Sequence, residues 1–448
     1  MIEPGYVKPI GRYVVSAAVL LLSWQSAGAS VLTTDDKADS GQRVAAGRCA
    51  AVAAAMVRRE APGQPWRVVD QGETLYTGDL LVGTSGAALD SENGAVRLFF
   101  QTDLTGESPY PVIEAAIVLR SSKQADLEFV LDRGRVDLIN RKESGPAKVR
   151  VHVRDASWDL TLAEPGAEIA LELYGRWPRG VPFTRNPGPK DVPTADLLFL
   201  VLKGNVTLAH KDRAHAMSAP PGPALMEWDS VTGQDETTHR LEKLPPWATA
   251  GVTDTPEMKV RKTRMERFRK TAIEKSIDQS IQDLLNSDDP GDRRLAVFAM
   301  GALDNLAGLG KALSETKHAD VWDNGVLVLR HWIGRGPGQD QVLFKRLQEN
   351  SNFTAVDAET VLQLLHSYDE NELARPEIYE TLIAYLNHDK LAIRGLAYWH
   401  LSRLVPAGKD LGYNPQDPKE ARDAAIQKWK KLIPAGQMPP HAKPGERK

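Results

Sequence analysis

Two hydrophobic rhythms divide this chain of 448 residues. Over residues 66–228 apolar and polar side chains alternate. The run Lys148-Val149-Arg150-Val151-His152-Val153-Arg154 does so throughout. Leu127, Phe129 and Leu131 interleave with Asp126, Glu128 and Val130; Trp158, Leu160 and Leu162, then Ile169, Leu171 and Leu173, follow the same rule. A pleated strand sends successive side chains to opposite faces, so each segment has one face for a core and mostly one wet face. That pattern belongs to antiparallel sheets, because strands buried on both faces read as unbroken apolar runs. Asn93-Gly94 predicts a tight hairpin, since both residues accept the positive φ that strand twist demands. Asp132-Arg133-Gly134 predicts a second one between residues 127–131 and 135–139. Short strands with frequent turns indicate an antiparallel β sandwich or roll over residues 66–230. The Pro/Gly-rich stretch from Trp177 to Pro193 reads as a long loop inside this half, and Pro220-Pro221-Gly222-Pro223 as another.

Residues 231–256 are polar and aperiodic, with Pro245-Pro246, and read as a linker. Beyond Pro256 the period lengthens. Ile273, Ile277, Ile281, Leu284 and Leu285 fall on one face of a single helix. Asp289-Pro290-Gly291-Asp292 is a helix start: an aspartate cap, proline at the first helical position and an acid in the first turn. Asp417-Pro418-Lys419-Glu420 repeats it before a closing helix that ends near Leu432. Residues 257–433 therefore form a helical domain, and 434–448 a disordered tail. The fold class expected is α+β multidomain, a β sandwich or roll followed by an α-solenoid-like helical domain.

Two resemblances follow. Trp66-Arg67-Val68-Val69, Gly72-Glu73-Thr74-Leu75, Gly78-Asp79-Leu80-Leu81-Val82 and Ser85-Gly86-Ala87-Ala88-Leu89 resemble the opening of a FecR-type domain. Leu131-Asp132-Arg133-Gly134-Arg135-Val136-Asp137-Leu138 and the segment from Leu200 through Gly204 to Leu208 resemble its later units, so the likeness covers residues 66–228. In the helical half Arg293-Arg294-Leu295-Ala296 aligns with Arg394-Gly395-Leu396-Ala397, with Asn324 and Glu359 opening copies between them. That resembles HEAT-type repeats, whose helix pairs bury their faces only by stacking on one another. The first resemblance implies a β module of the kind found in regulators that relay signals to sigma factors. The second implies a long surface for binding proteins.

The amino terminus reads as an address. Lys8 and Arg12 precede an apolar run from Tyr13 to Trp24, and small residues at Ala27 and Ala29 complete a secretory signal at residues 1–29. The run has twelve residues, short of the roughly 20 that a membrane span needs. The chain is thus expected to be exported, periplasmic or extracellular, with no membrane span after cleavage; an uncleaved signal would anchor it in the inner membrane. Residues 30–65 are Ala-rich and expected to be helical in part.

Composition narrows the chemistry. Net charge is −3, so no global field draws the chain to nucleic acid, and no nucleic-acid partner is expected. The single cysteine, Cys49, excludes an intramolecular disulfide and any cysteine-cluster metal site. No Gly-rich phosphate loop, Gly-x-Ser-x-Gly or His-Glu-x-x-His occurs. His210 and His215 lack a nearby third metal ligand. Asp79 reads as a turn residue able to accept backbone N–H bonds. Asp70, Asp79, Glu168 and Glu172 would mark a carbohydrate-active enzyme if they converged in a cleft. The basic run Lys259, Arg261, Lys262, Arg264, Arg267, Arg269 and Lys270 is either a patch for acidic polymers or a solvated helix face. Trp322, Trp332, Trp399 and Trp429 read as inter-repeat core. No residue is assigned as catalytic, cofactor-binding or metal-binding, and no cofactor is expected. The function expected is a non-catalytic envelope protein that binds or scaffolds a protein partner. A membrane-anchored signal-relay regulator and a carbohydrate-active enzyme are the alternatives.

Overall fold

The computed structural model describes residues 43–103, 112–231, 237–249, 253–315, 317–350 and 353–440. The signal read at 1–29 and most of the expected tail lie outside them. A β region comes first and a helical region follows. The strands begin with β1 (Ala45–Cys49), β2 (Met56–Arg59), β3 (Arg67–Val68), β4 (Thr74–Tyr76) and β5 (Leu80–Gly83). Then come β6 (Ala88–Ser91), β7 (Val96–Gln101), β8 (Ala115–Arg120) and the long β9 (Leu127–Asn140). β10 (Ala147–Val153), β11 (Ala156–Leu162), β12 (Glu168–Arg176) and β13 (Thr194–Lys203) follow. β14 (Asn205–His210), β15 (Arg213–Ser218), β16 (Pro223–Asp229) and β17 (His239–Arg240) complete the region.

These strands form two sheets that share one member. One runs β4-β1-β6-β7-β9-β12-β13-β16-β17. The other runs β3-β2-β5-β8-β9-β10-β11-β14-β15. Their inner faces share one core, in which Trp158 of the second sheet meets Phe199 and Trp228 of the first at 5.5 and 5.2 Å. The Asn93-Gly94 hairpin forms between β6 and β7. The sheets depart from expectation in one pairing: β9 and β10 run parallel.

The hairpin expected at Asp132-Arg133-Gly134 is absent. Residues 127–133 pair in the second sheet and residues 134–140 in the first, so the chain runs straight on and changes sheets. The register slips at this point, and Gly134 takes φ 77°. A Cβ there would strike the Glu114 carbonyl and come within 2.7 Å of the Ala115 Cα. A bulge with glycine in the left-handed region has a turn's composition, and pairing partners alone distinguish the two. Of the Ala-rich stretch at 30–65, residues 30–42 lie outside the described residues, and the rest holds β1 and β2 rather than helix. Gly47 explains part of this, since a Cβ there would lie 2.6 Å from the Asp90 carbonyl oxygen of β6. Residues 237–249, expected in a linker, instead cover the first sheet. Leu241, Leu244 and Trp247 pack with Ala170, Leu200 and Ala224, and Arg135 lies 4.2 Å from the Trp247 ring centre.

The helices are α1 (Pro256–Glu274), α2 (Ile277–Leu285), α3 (Pro290–Ala302), α4 (Leu306–Ala312), α5 (Ala319–Gly334) and α6 (Gln339–Asn350). α7 (Ala355–His366), α8 (Glu370–Leu373), α9 (Pro376–Tyr385), α10 (Leu391–Leu404) and α11 (Lys419–Leu432) follow. Asp289 caps α3 by accepting the Gly291 N–H at 2.7 Å. The single helix expected across Ile273 to Leu285 is broken. Ser276 accepts the Gln279 N–H and starts α2, which buries Ile277, Ile281 and Leu284 and leaves Ile273 exposed. Asp417 does not cap α11: Pro418 holds the cap position, and Asp417 accepts from the Asn414 amide instead. Residues 293, 324, 359 and 394 fall in α3, α5, α7 and α10, which pack in series.

The two regions have separate cores, yet the β region reaches into the helical one. The loop from Trp177 to Pro193 lies across α5, α6 and α7. Trp177 Nε1 donates to the Ile333 carbonyl (2.8 Å), Phe183 is buried among helical side chains, and Gln341 donates to the Thr184 carbonyl (2.6 Å). His366 Nδ1 lies 3.1 Å from the Val181 carbonyl. Backbones touch as well: a Cβ on Gly334 would lie 2.8 Å from the Arg176 Cα.

A buried ion network closes the junction. Glu114 Oε1 accepts from Arg133 Nε at 2.8 Å and from Arg335 Nη2 at 3.1 Å, with all three side chains at most 4% exposed. Arg133 also donates to the Ala302 carbonyl (2.7 Å), and Arg335 to the Gly301 carbonyl (3.0 Å). Asp304 takes Arg59 at 2.9 Å and the Trp332 indole at 3.0 Å. Burial pushes the Asp304 carboxyl up, but Arg133, Arg335 and Arg59 outweigh it and hold it below the ordinary range. Removing one member of a buried charge network strands its partners. Arg335→Met is therefore expected to cost about 3–5 kcal/mol in urea unfolding. A loss below about 1 kcal/mol, the range of exposed ion pairs, would refute this weight.

Candidate functional site

The structure places the carboxylates singled out in the sequence at two locations. Asp79 is fully buried, accepts the Tyr76 N–H at 3.0 Å, and pairs with Arg43 and Arg58. It is the turn residue expected, with two arginines added. Asp70 sits nearby in the turn before β4, its carbonyl accepting the Glu73 N–H. Glu168 and Glu172 lie on β12, on the face that the 237–249 segment covers. Between them, across the strand pair, is Asp137 of β9, which the sequence did not mark. Burial pushes the Asp137 carboxyl up to about 6, against the pull of Arg135 and Gln101, and Glu168 and Glu172 push the same way. Its Oδ1 is buried and finds no hydrogen-bond partner among the described residues.

His210 and His215 do not form a site together. His210 Nδ1 meets the Ser157 carbonyl at 2.7 Å and its ring stacks on Trp158 at 4.8 Å; His215 lies opposite Leu208 on β15. Among the described residues no group of three or more His, Cys, Asp or Glu side chains is placed to hold a metal ion. Cys49 is buried in β1, and burial raises its thiol pKa, so it is a packing residue there. Trp332 and Trp429 are buried in the helical core, as expected, whereas Trp322 and Trp399 remain partly exposed.

A cleft lies where the two regions meet. It encloses about 440 Å³ between the end of β7, the entry to β8, and helices α1 and α3. Each wall has a local cause. Thr255 caps α1 by accepting the Met258 N–H, with Pro256 at the first helical position. Thr102 fixes the β wall, accepting the Ser85 N–H at 2.9 Å and donating to the Ile113 carbonyl at 2.7 Å. The floor is apolar: Val112, Ile113, Met265, Leu295 and Phe298 line it, and Val260 stands 47% exposed.

Most of the basic run on α1 is spent on holding that helix in place. Arg264 bonds Asp289 (2.7 Å) and Asp292 (3.3 Å) at the start of α3, and Arg267 pairs with Asp292. Lys262 pairs with Asp254 at 2.6 Å. Arg269 crosses to the β region, donating to Thr84 Oγ1 at 2.8 Å and to the Ser85 carbonyl. Arg261 lines the cleft opposite Arg294 of α3. Arg294 is exposed and lies over the Phe298 ring, 5.0 Å from its centre, and pairs with no carboxylate among the described residues. Partial burial lowers its pKa and repulsion by Arg261 adds to the effect. Asp103 and Glu257 also line the cleft; Glu257 is turned back onto Thr255 and its own N–H at the helix start. The sequence reading used Arg294 only in the repeat alignment; the i,i+4 spacing of Arg294 and Phe298 was the available signal.

A cationic wall over an apolar floor is suited to binding. Among the described residues the cleft's ionisable lining side chains are Asp103, Glu257, Arg261, Arg264 and Arg294. None of the four sequence-flagged carboxylates lines it. Comparisons with protein-family models, with curated proteins and with solved structures yield no match to this chain.

Asp137 gives a measurable pH signature. Its folded-state pKa of about 6 lies above the ordinary 3.8, so between these values the folded chain holds a proton that the unfolded chain releases. Stability contributed by this group is complete below about pH 4 and declines as pH rises toward 6. Asp137→Asn is expected to abolish that decline and to stabilise the protein at pH 7 by up to about 3 kcal/mol. Urea unfolding of both proteins from pH 4 to pH 7 checks this; parallel pH curves would refute it.

Proposed function

We propose that this chain is an exported, non-catalytic protein of the cell envelope that holds a partner protein in the cleft between its β and helical regions. The single observation that carries the reading is the pairing of Arg261 and Arg294 above an apolar floor. Arg294 lies over Phe298 at the cleft beside a second guanidinium and has no carboxylate partner among the described residues, which leaves its charge open to a ligand. The occupant that suits it is an extended protein segment in which acidic and apolar side chains alternate: a carboxylate for Arg294, apolar groups for Met265, Leu295 and Phe298. Charge complementarity of this sort sets specificity and approach, and the buried apolar contact supplies affinity.

On this reading the β region is a FecR-like module used as a platform, freed from signal relay. The helices are HEAT-like repeats that buttress it. Support for the repeat comes from α3 and α10, where Arg293 and Arg394 each donate to the carbonyl six residues earlier, of Ser287 and His388. Support for export is the signal read at residues 1–29. Among the described residues no helix is long and apolar enough to cross a membrane.

Synthetic peptides test the cleft. A fluorescent peptide of alternating leucine and glutamate is expected to bind the full chain. Its leucine–lysine and serine–glutamate counterparts are expected to bind at least about tenfold more weakly. Arg294→Glu should cost the acidic peptide a similar factor and improve the basic one. Equal binding of all three peptides, or indifference to Arg294→Glu, would overturn the assignment.

A further inference from the structure

The outermost strands of a sheet have backbone groups with no neighbour, and most proteins blunt such edges because another chain can pair with them. The two sheets here end in β3, β4, β15 and β17. β4 is three residues long, and β3 and β17 are two each. β3 is also held against the helical region, where the neighbouring Trp66 donates from Nε1 to the Leu303 carbonyl at 2.8 Å. The chain beyond β17 folds over the first sheet through Leu241, Leu244 and Trp247. β15 differs. It runs six residues, Arg213–Ser218, in unbroken register with β14, and contains neither a bulge nor a proline.

Only one side of β15 is paired. Its register with β14 runs from Asn205↔Ser218 to His210↔Arg213, and just beyond it the Ala219 N–H donates to the Gly204 carbonyl at 2.9 Å. Antiparallel partners alternate between hydrogen-bonded and non-bonded pairs. Counting back from Ala219, residues Met217, His215 and Arg213 bond to β14. Ala214, Ala216 and Ser218 therefore turn their N–H and carbonyl groups outward, where no backbone group among the described residues receives them. Ala214 and Ala216 are exposed.

We propose that two copies of this chain join their second sheets through this edge, as antiparallel β15 strands with Ala216 on the two-fold axis. The register follows from the alternation. Ala214, Ala216 and Ser218 are the residues able to form hydrogen-bonded pairs across the axis. Setting Ala216 against itself places Ala214 opposite Ser218 of the second copy, so all three are used. Between them His215 faces Met217 of the second copy and Arg213 faces Ala219, so no like charges are opposed. The adjacent registers are poorer. One sets His215 against itself and leaves Ser218 opposite the turn residue Asp212; the other sets Ala214 opposite Pro220, which has no N–H to give. The strand is thus its own complement, and this selects a second copy as the occupant. Such a contact is isologous and closes on itself. With the other edges short or covered, assembly stops at two. The interface shares no residue with the junction cleft.

Sedimentation equilibrium of the full chain from micromolar to submillimolar concentration is the test. The weight-average mass is expected to climb from the monomer value toward twice that value. Ala216→Pro removes an N–H that the monomer does not use, and proline is tolerated on the open side of an edge strand. Ala216→Lys sets two ammonium groups face to face on the axis. Both variants are expected to keep the melting temperature of the dilute unaltered chain and to remain monomeric. A disulfide reads the register. Cα atoms of a hydrogen-bonded antiparallel pair lie about 5.5 Å apart, inside the roughly 4.4–6.8 Å that a disulfide spans. The native Cys49 is buried. Ala216→Cys is therefore expected to give a covalent dimer on mild oxidation, and Ala214→Cys to do so only when mixed with Ser218→Cys. The proposal is overturned if the full chain stays monomeric throughout, if Ala216→Pro and Ala216→Lys associate as the unaltered chain does, or if Ala214→Cys cross-links to itself as readily as Ala216→Cys.

Discussion

Glu114 is the point on which the architecture turns. It is a single buried carboxylate that accepts from two buried arginines arriving from different regions: Arg133 from the bulge of β9 and Arg335 from the end of α5. Neither arginine could be buried there alone, because an unpaired charge in such a place costs several kcal/mol. Each also donates to a carbonyl at the end of α3, and Asp304 closes the ring with Arg335 and Arg59. Such a network need not add much net stability; what it adds is orientation, since its geometry is satisfied in one arrangement of the two regions. The cleft depends on that arrangement. Ile113 lines the cleft and the next residue is Glu114; the first turns of α3 form its wall, and the last turn of α3 supplies the network's acceptors. A rotation of one region against the other would break both together.

The change of rhythm near Pro256 was legible because it is a property of neighbours in sequence: side chains two apart in a sheet, three or four apart in a helix. The alternating runs at 148–154 and 158–162 are β10 and β11, and the Asp-Pro start at 289 opens α3. What was not legible are features decided by distant partners. Asp132-Arg133-Gly134 has the composition of a turn, and only the identity of the neighbouring strands makes it a bulge. The 177–193 loop is punctuated like any surface connection, yet Trp177 and Phe183 are anchors for helices that begin much later in the chain. Ile273 fitted the helical stripe, but Ser276 could cap a new helix and did so.

The candidate sites were legible in kind rather than in membership. The basic run on the first helix read either as a patch for acidic polymers or as a solvated face, and the structure spends most of it on Asp254, Asp289, Asp292 and the Ser85 carbonyl. Arg261 of the run lines the cleft, and its companion there, Arg294, comes from α3. Asp137 was hidden for the opposite reason. An acid at an alternating position reads as solvated, and nothing local announces that residues 237–249 will fold over it. In each case the deciding quantity is whether a charge ends beside its complement, which a single sequence does not encode locally.

The strand that serves both sheets also constrains how the molecule comes into being. Every hydrogen-bonding path from β1–β8 to β10–β17 passes through β9, so the amino-terminal strands cannot complete either layer from their own residues. A nascent chain ending short of Leu127 would expose the open edges of β7 and β8, the kind of surface that templates association with other chains. Neither layer is complete until β9 is in place, so the two halves of the β region are joined through one strand. Such long-range pairing makes folding slow by its topology alone.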